Sequence, residues 1–365
     1  MHGVGICVNG CVQSKTWMAK SVTIASCISH MTYMTLHKSP VQIKVNLMFQ
    51  VRQFFKQLFD EVIAVSWPLF KLMVPIILIV KVLEEMGGIA LLGQWLGPLM
   101  AIVGLPQEMG LVWAATIATN IYGGMIVLYS FAADSSLTVA QMTVLSGLLL
   151  MAHGLPIEVR IAQLAGMRMR VAIITRLFGA FAFAWLLHVF YDQTQWLQEP
   201  AQMVWQPEPI ADGLDHWFFS QVKALAMIQI IIIVLLTFLN ILRVIGVEKM
   251  IQWMLRPILK LMGIGKEATT ITLVGITLGL SFGGGLLIKE AHAGHVSKKD
   301  VFASLILLGF CHSLIEDTLL VVLLGAHLSG VLWFRLVFAF IFTSAMSYWL
   351  TKVSPEFQNK HLLRP

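Results

Sequence analysis

Apolar residues run along this chain in blocks too long for the face of a soluble helix. The blocks begin near residue 62, end near residue 351, and are separated by short polar, glycine- or proline-bearing breaks. They predict helices at 62–83, 88–104, 108–131, 138–164 and 168–190, a polar segment at 191–217, and helices at 218–242, 250–264, 268–288, 300–325 and 331–351. The second block is short and the seventh carries Arg256 and Lys260, so both read as interfacial or re-entrant as readily as spanning. The expected fold class is all-α: a polytopic membrane protein of about 8–10 transmembrane helices, some of them broken.

The two sets of five blocks look like copies. Pro98 and Pro257, Gly104 and Gly263, Glu108 and Glu267, His153 and His312, and Arg176 and Arg335 all stand 159 residues apart. Tyr122-Gly123-Gly124 matches Phe282-Gly283-Gly284 if one residue is inserted, and HGLPIE at 153–158 parallels HSLIED at 312–317. Many unrelated residue types at nearly one offset mark a duplication. The expected organisation is residues 1–47 as a disordered or mis-annotated extension, with a natural start at Met48. A first membrane repeat at 48–190, a linker at 191–217, a second repeat at 218–351 and a tail at 352–365 follow.

Charge orients the halves. Segment 191–217 has five acidic residues and no Lys or Arg, which puts it outside the cell. Arg52 and Lys56, Arg168 and Arg170, Lys289, Lys298 and Lys299, and Lys352, Lys360 and Arg364 belong inside, so both termini are cytoplasmic. About five crossings per half, an odd number, make the repeats inverted, a common construction of secondary transporters, whereas four per half, with 88–104 and 250–264 not crossing, would make them parallel. Composition agrees: 58% of residues are hydrophobic, 12% charged, and the mean hydropathy is +0.80. The net charge of +6 marks inside loops; no basic-aromatic module supports nucleic-acid binding. Cys7, Cys11, Cys27 and Cys311 form no metal or disulfide framework.

Candidate chemistry sits where polar groups interrupt the apolar blocks. His312, Glu316 and Asp317 lie in the middle of 300–325, where each acid costs about 2.5–3.5 kcal/mol to insert. On a continuous helix His312 and Glu316 share a face, which suits proton relay, while Asp317 is free to pair with Arg176 or Arg335. His153 and Glu158 are their counterparts, with Pro156 breaking that helix and Arg160 near enough to neutralise Glu158. The working His–carboxylate pair is therefore expected in the second copy. Asn120, Tyr122, Gly123 and Gly124, and Ser281, Gly283 and Gly284, form two glycine-rich breaks that either expose backbone to a solute or pack helices tightly. A structural polar clamp between repeats is the competing account of the ionisable groups. No Walker loop or HExxH motif points to an enzyme, no cofactor is expected, and no CxxC spacing marks a metal site.

The run GGGLLIKEAHAGHVSKKDVFASLILLGFCHSLIEDTLL at 283–320 resembles the nucleoside-recognition (Gate) domain of bacterial membrane proteins. The segments NIYGGMIVLYSF and LLLMAHGLPIE look like a diverged second copy. The resemblance implies an integral inner-membrane protein akin to parts of concentrative nucleoside transporters, ferrous-iron transporter membrane regions and spore-maturation proteins. The expected function is transport of a small polar solute, nucleosides first, with proton coupling. A non-transporting scaffold is the alternative and metal-ion transport the second one. Lipid and a small solute are the expected partners, and a homo-oligomer is left open.

Overall fold

The computed structural model describes residues 40–131, 136–205 and 213–364. Two units divide the chain, residues 1–61 and residues 62–365. Residues 1–39, most of the expected N-terminal extension, lie outside the described residues, and a helix already begins at Pro40. Every extended element among the described residues is helical apart from two isolated bridges, Thr138 with Pro200 and Met167 with Leu363.

In chain order the helices are α1 (Pro40–Glu85), α2 (Gly88–Ile102), α3 (Met109–Ala118), α4 (Ile121–Phe131), α5 (Val139–Met151), α6 (Leu155–Leu164) and α7 (Met169–Thr194). There follow α8 (Leu214–Ile245), α9 (Val247–Leu261), α10 (Lys266–Leu278), α11 (Leu280–His292), α12 (Lys298–Cys311) and α13 (Glu316–Leu323). A π-helical turn at Ser329–Phe334 leads into α14 (Arg335–Lys352). Five helical stretches are long and apolar enough to cross a membrane: Leu58–Glu85, Met169–Thr194, Leu214–Ile245, Lys298–Leu323 and Ser329–Lys352. The pair α5 and α6, bent by 40° at its break, makes a sixth. Their outer faces carry exposed Phe178, Trp185, Phe218, Phe219, Ile230, Val234 and Ile341, side chains at home in lipid.

The duplication is written into the backbone. Left-handed residues recur 159 apart as Gly87 and Gly246, Gly104 and Gly263, Gly154 and Ser313, and Gly166 and Gly325. Thr138 caps α5 and Ser297 caps α12, each accepting from the N–H three residues on, again 159 apart. Helices α4 and α11 start 159 apart as well, at Ile121 and Leu280, so no inserted residue is needed. In that register Gly124 matches Gly283, not Gly284.

Here the structure departs from the count of spans. Segments 108–131 and 268–288 are not single continuous helices; each turns back on itself. The Cβ position of Gly124 lies 3.4 Å from the carbonyl oxygen of Val112, and that of Gly283 lies 3.5 Å from Ile271 O, twelve residues away in both cases. A continuous helix separates such residues by about 18 Å. So α3–α4 and α10–α11 are hairpins, with turns at Thr119–Asn120 and Gly279. Arms of 10 to 13 residues reach about 15–20 Å, roughly half of the hydrocarbon thickness.

Hydrogen bonds then show how the halves run. At one end of the bundle the start of α5 meets the chain beyond α7, with Ala201 N–H donating to Leu137 O at 2.8 Å, and Val204 N–H donates to Leu323 O at the end of α13. At the other end, beyond α6, Arg168 N–H donates to Leu362 O and Arg364 N–H to Gly166 O. His292, closing α11, bonds Leu164 O at the end of α6. The broken pair α5–α6 therefore runs from the first end to the second, and its counterpart α12–α13 runs the opposite way. Hairpin α3–α4 opens at the first end, where Tyr129 packs edge-on against Trp205, and α10–α11 opens at the second. The repeats are antiparallel.

Candidate functional site

Both broken pairs lose their helix at the same point. Helix α5 ends at Met151, Gly154 takes a left-handed φ of 56°, and α6 starts at Leu155. Helix α12 ends at Cys311, His312 is extended, Ser313 takes φ 46°, and α13 starts at Glu316. Pro156 thus does not distinguish the copies; the second copy breaks without a proline. Helix breaks leave polar backbone that must find partners in a low-dielectric interior. The hairpin tips supply them: Gly154 N–H donates to Thr116 O at 3.0 Å, and Leu314 N–H to Ile276 O at 2.8 Å.

The break is what brings the site together. Because the two pairs run antiparallel, their breaks lie back to back and His153 meets His312. The Nε2 atoms are 3.0 Å apart, and both rings are buried. Each Nδ1 faces the carbonyl four residues earlier, His153 on Leu149 O at 3.0 Å and His312 on Leu308 O at 2.6 Å. A carbonyl only accepts, so Nδ1–H is the donor in both rings, and in neutral imidazoles the facing Nε2 atoms present lone pairs.

Glu158 completes a triangle. Its Oε1 stands 3.2 Å from His153 Nε2 and 3.2 Å from His312 Nε2. Its Oε2 is 2.5 Å from Arg176 Nη1. Asp317 approaches from the second half, with Oδ2 3.8 Å from His153 Nε2 and no hydrogen-bond partner of its own. In the 159 register Glu158 corresponds to Asp317, so both halves contribute a histidine and an acid. The arginines repeat this symmetry. Arg176 Nη2 donates to His153 O at 3.1 Å, and Arg335 donates through Nε to Phe310 O at 2.7 Å and through Nη2 to His312 O at 3.4 Å. Gly309 makes room, since a Cβ there would lie 2.9 Å from Arg176 Cδ. Arg335 is fully buried, so its charge must be compensated within the cluster.

Several expectations need correction. His312 does not pair with Glu316, because the helix that would align them is interrupted between the two; His312 pairs with Glu158 and His153 instead. Asp317 is not within ion-pair distance of either arginine among the described contacts, and Glu158 is neutralised by Arg176 while Arg160 bonds Gln163. Glu316 is half-buried, and Tyr122 is buried within electrostatic reach of Glu316 and Asp317. Asn120 accepts from Gly123 N–H at 2.9 Å and so caps α4 at the hairpin turn. The glycine pairs follow the turns instead of forming them. Gly124 and Gly283 pack hairpin arms together, and Gly284 lies against Ile161 of α6. Gly123 is buried over Thr119. The Ser281 side chain lies outside the described residues. A cavity of about 20 Å³, room for one water, lies beside the cluster between Glu158, Arg176, Leu280 and Phe310.

The chain is 26% identical over 306 residues to an uncharacterized membrane protein, YvoD, of Bacillus subtilis (strain 168), an alignment covering 82% of this chain and 95% of that one. No family model matches the chain, and no solved structure matches it. The protein is a multi-pass helical membrane protein similar to that relative.

Proposed function

We propose that the protein is an integral membrane transporter of a small polar solute, working by alternating movement of its two inverted halves. One observation carries this reading: two antiparallel broken helices and two half-length hairpins converge on a buried cluster of ionisable groups. Discontinuous helices meeting at the repeat interface are how secondary transporters bind solutes at mid-membrane depth. Ionisable groups at that depth mark solute or ion paths. His153, Glu158, His312 and Asp317 bind or couple, Arg176 and Arg335 hold them in place, and the hairpin tips at Asn120 and Gly279 act as the two gates. No covalent chemistry is assigned to the cluster, and no enzymatic role.

The end bearing Arg168, Arg170, Lys298, Lys352, Lys360 and Arg364 is the cytoplasmic one in this reading, the end bearing Asp192 and Glu199 the outer one. Both termini then lie on the cytoplasmic side of a bacterial inner membrane. The Gate-domain resemblance favours nucleosides as solute. With room for one water beside the cluster, a nucleoside enters only when the hairpins part from the broken helices. The test is uptake into proteoliposomes across a panel of nucleosides, nucleobases and metal ions, with His312→Ala and Glu158→Gln as variants. Transport by the wild type and its loss in folded variants is expected. Wild-type rates in both variants would remove the cluster from the path. Absence of any flux, with a partner protein co-purifying, would favour the scaffold reading.

A further inference from the structure

The cluster contains more acceptors than donors at its centre. His153 Nε2, His312 Nε2 and Glu158 Oε1 form a triangle with edges of 3.0, 3.2 and 3.2 Å. All three corners present lone pairs when both imidazoles are neutral and their Nδ1–H groups are committed to carbonyls. Asp317 Oδ2 adds a fourth buried acceptor without a hydrogen-bond partner. The two carboxylates of the cluster, Glu158 and Asp317, balance the two guanidiniums, Arg176 and Arg335, yet Asp317 is in ion-pair distance of neither arginine. Four acceptors converging without a proton donor between them can hold a cation.

We propose that His153, His312, Glu158 and Asp317 form a binding site for a single first-row transition-metal dication, of the zinc or iron(II) class. Ligand identity, geometry and support all fit. A cation about 2.0–2.1 Å from each corner of the triangle would sit about 1 Å out of its plane, leaving a tetrahedral position for a fourth ligand. Asp317 Oδ2 is the buried acceptor available there, and the His153, His312 and Asp317 ligand atoms already lie within 4.8 Å of one another. The histidines have the support that metal-bound imidazoles have: each Nδ1–H donates to a backbone carbonyl, which fixes the tautomer and aims Nε2 inward. Arg176 holds the far oxygen of Glu158 and turns the other toward the centre. Two imidazoles with two carboxylates favour zinc, iron or cobalt over magnesium or calcium, which take oxygen ligands.

This inference deepens the transport reading at the same site, and a binding measurement separates the two. The full-length protein, purified in detergent and stripped with a chelator, is titrated with cobalt(II) and followed by visible d–d absorption. The expected result is one tetrahedral cobalt site per chain, displaced by zinc(II) and untouched by millimolar magnesium or calcium. His153→Gln and His312→Gln should each weaken binding by more than the about 10–100-fold that loss of a supporting partner costs. Thermal melting shows that the variants are folded, and the wild-type titration decides even if they are not. A wild-type protein that takes up no cobalt, or variants that bind it with undiminished affinity, would overturn the proposal. Binding without flux in liposomes would leave the metal site standing and remove the transport reading; flux without binding would do the reverse.

Discussion

Replacing Gly283 by alanine puts a methyl group where the backbone of Gly275 already is. The added Cβ would lie 2.3 Å from Gly275 Cα and 2.7 Å from Gly275 N, inside hairpin α10–α11. Neither contact is the tip of a flexible side chain, so relief requires the two arms to separate. Overpacking of this kind costs about 1–3 kcal/mol. Against it stands the gain of about 0.5–1 kcal/mol that alanine brings to a helix interior. The net expectation is a loss of up to about 2.5 kcal/mol, centred near about 1 kcal/mol. Gly285, two residues on in the same helix, is exposed and has no atom within 4 Å of its Cβ position. Gly285→Ala should therefore stabilise by about 0.4–1 kcal/mol. The two substitutions share chemistry, helix and solvent, and differ in sign. Reversible denaturant unfolding in mixed micelles, followed by circular dichroism, gives both values against the wild type. Gly283→Ala at or above wild-type stability would mean that the hairpin does not close as described.

Other consequences follow from the cluster and its breaks. Glu158→Gln leaves Arg176 buried beside a neutral amide and should cost about 3–5 kcal/mol, whereas Glu158→Gln with Arg176→Met should regain much of that loss; a double-mutant cycle in the same unfolding assay reads the coupling, and a coupling near zero would dissolve the pair. Gly154→Ala forces a left-handed alanine whose Cβ would lie 3.3 Å from Thr119 O, and should lose about 1–2 kcal/mol. Its counterpart Ser313→Gly should be neutral or stabilising by up to about 1 kcal/mol, and equal losses at both positions would contradict the shared break. Cysteines at Asp192 and Arg170, both exposed, should react with impermeant maleimide from opposite faces of intact cells and inverted vesicles; labelling from one face would refute the assigned topology.

The duplication was legible in the sequence because residues of unrelated type, from Pro98 and Pro257 to Arg176 and Arg335, repeat at one offset, and its inversion because charge and an odd number of crossings per half orient the copies oppositely. Parity survived the miscounted spans for a simple reason. Turning one block per half into a hairpin and another into a 15-residue helix, short of the spanning length, removes two candidate crossings, and an odd number stays odd. The hairpins themselves were not legible. An apolar block of some 24 residues meets the length criterion whether it crosses or folds back. What folds it back is small-residue packing, Gly124 over Thr116 and Gly283 over Gly275, which a hydropathy pattern does not encode. The partner of His312 was mistaken because helical spacing was applied across a stretch where the helix stops. The corrective signal lay in the register itself, which aligns Glu158 with Asp317 and not with Glu316.

His153 and His312 meet across two antiparallel broken helices, and that contact can be measured directly. In lipid bilayers, protein carrying 15N-labelled histidine should give a through-space correlation between the Nε2 atoms of two buried imidazoles, as a separation of 3.0 Å requires. The correlation should vanish in His312→Gln while other histidine signals persist. Two buried imidazoles with no mutual correlation in a folded wild type would contradict the crossing, and with it the site built upon it.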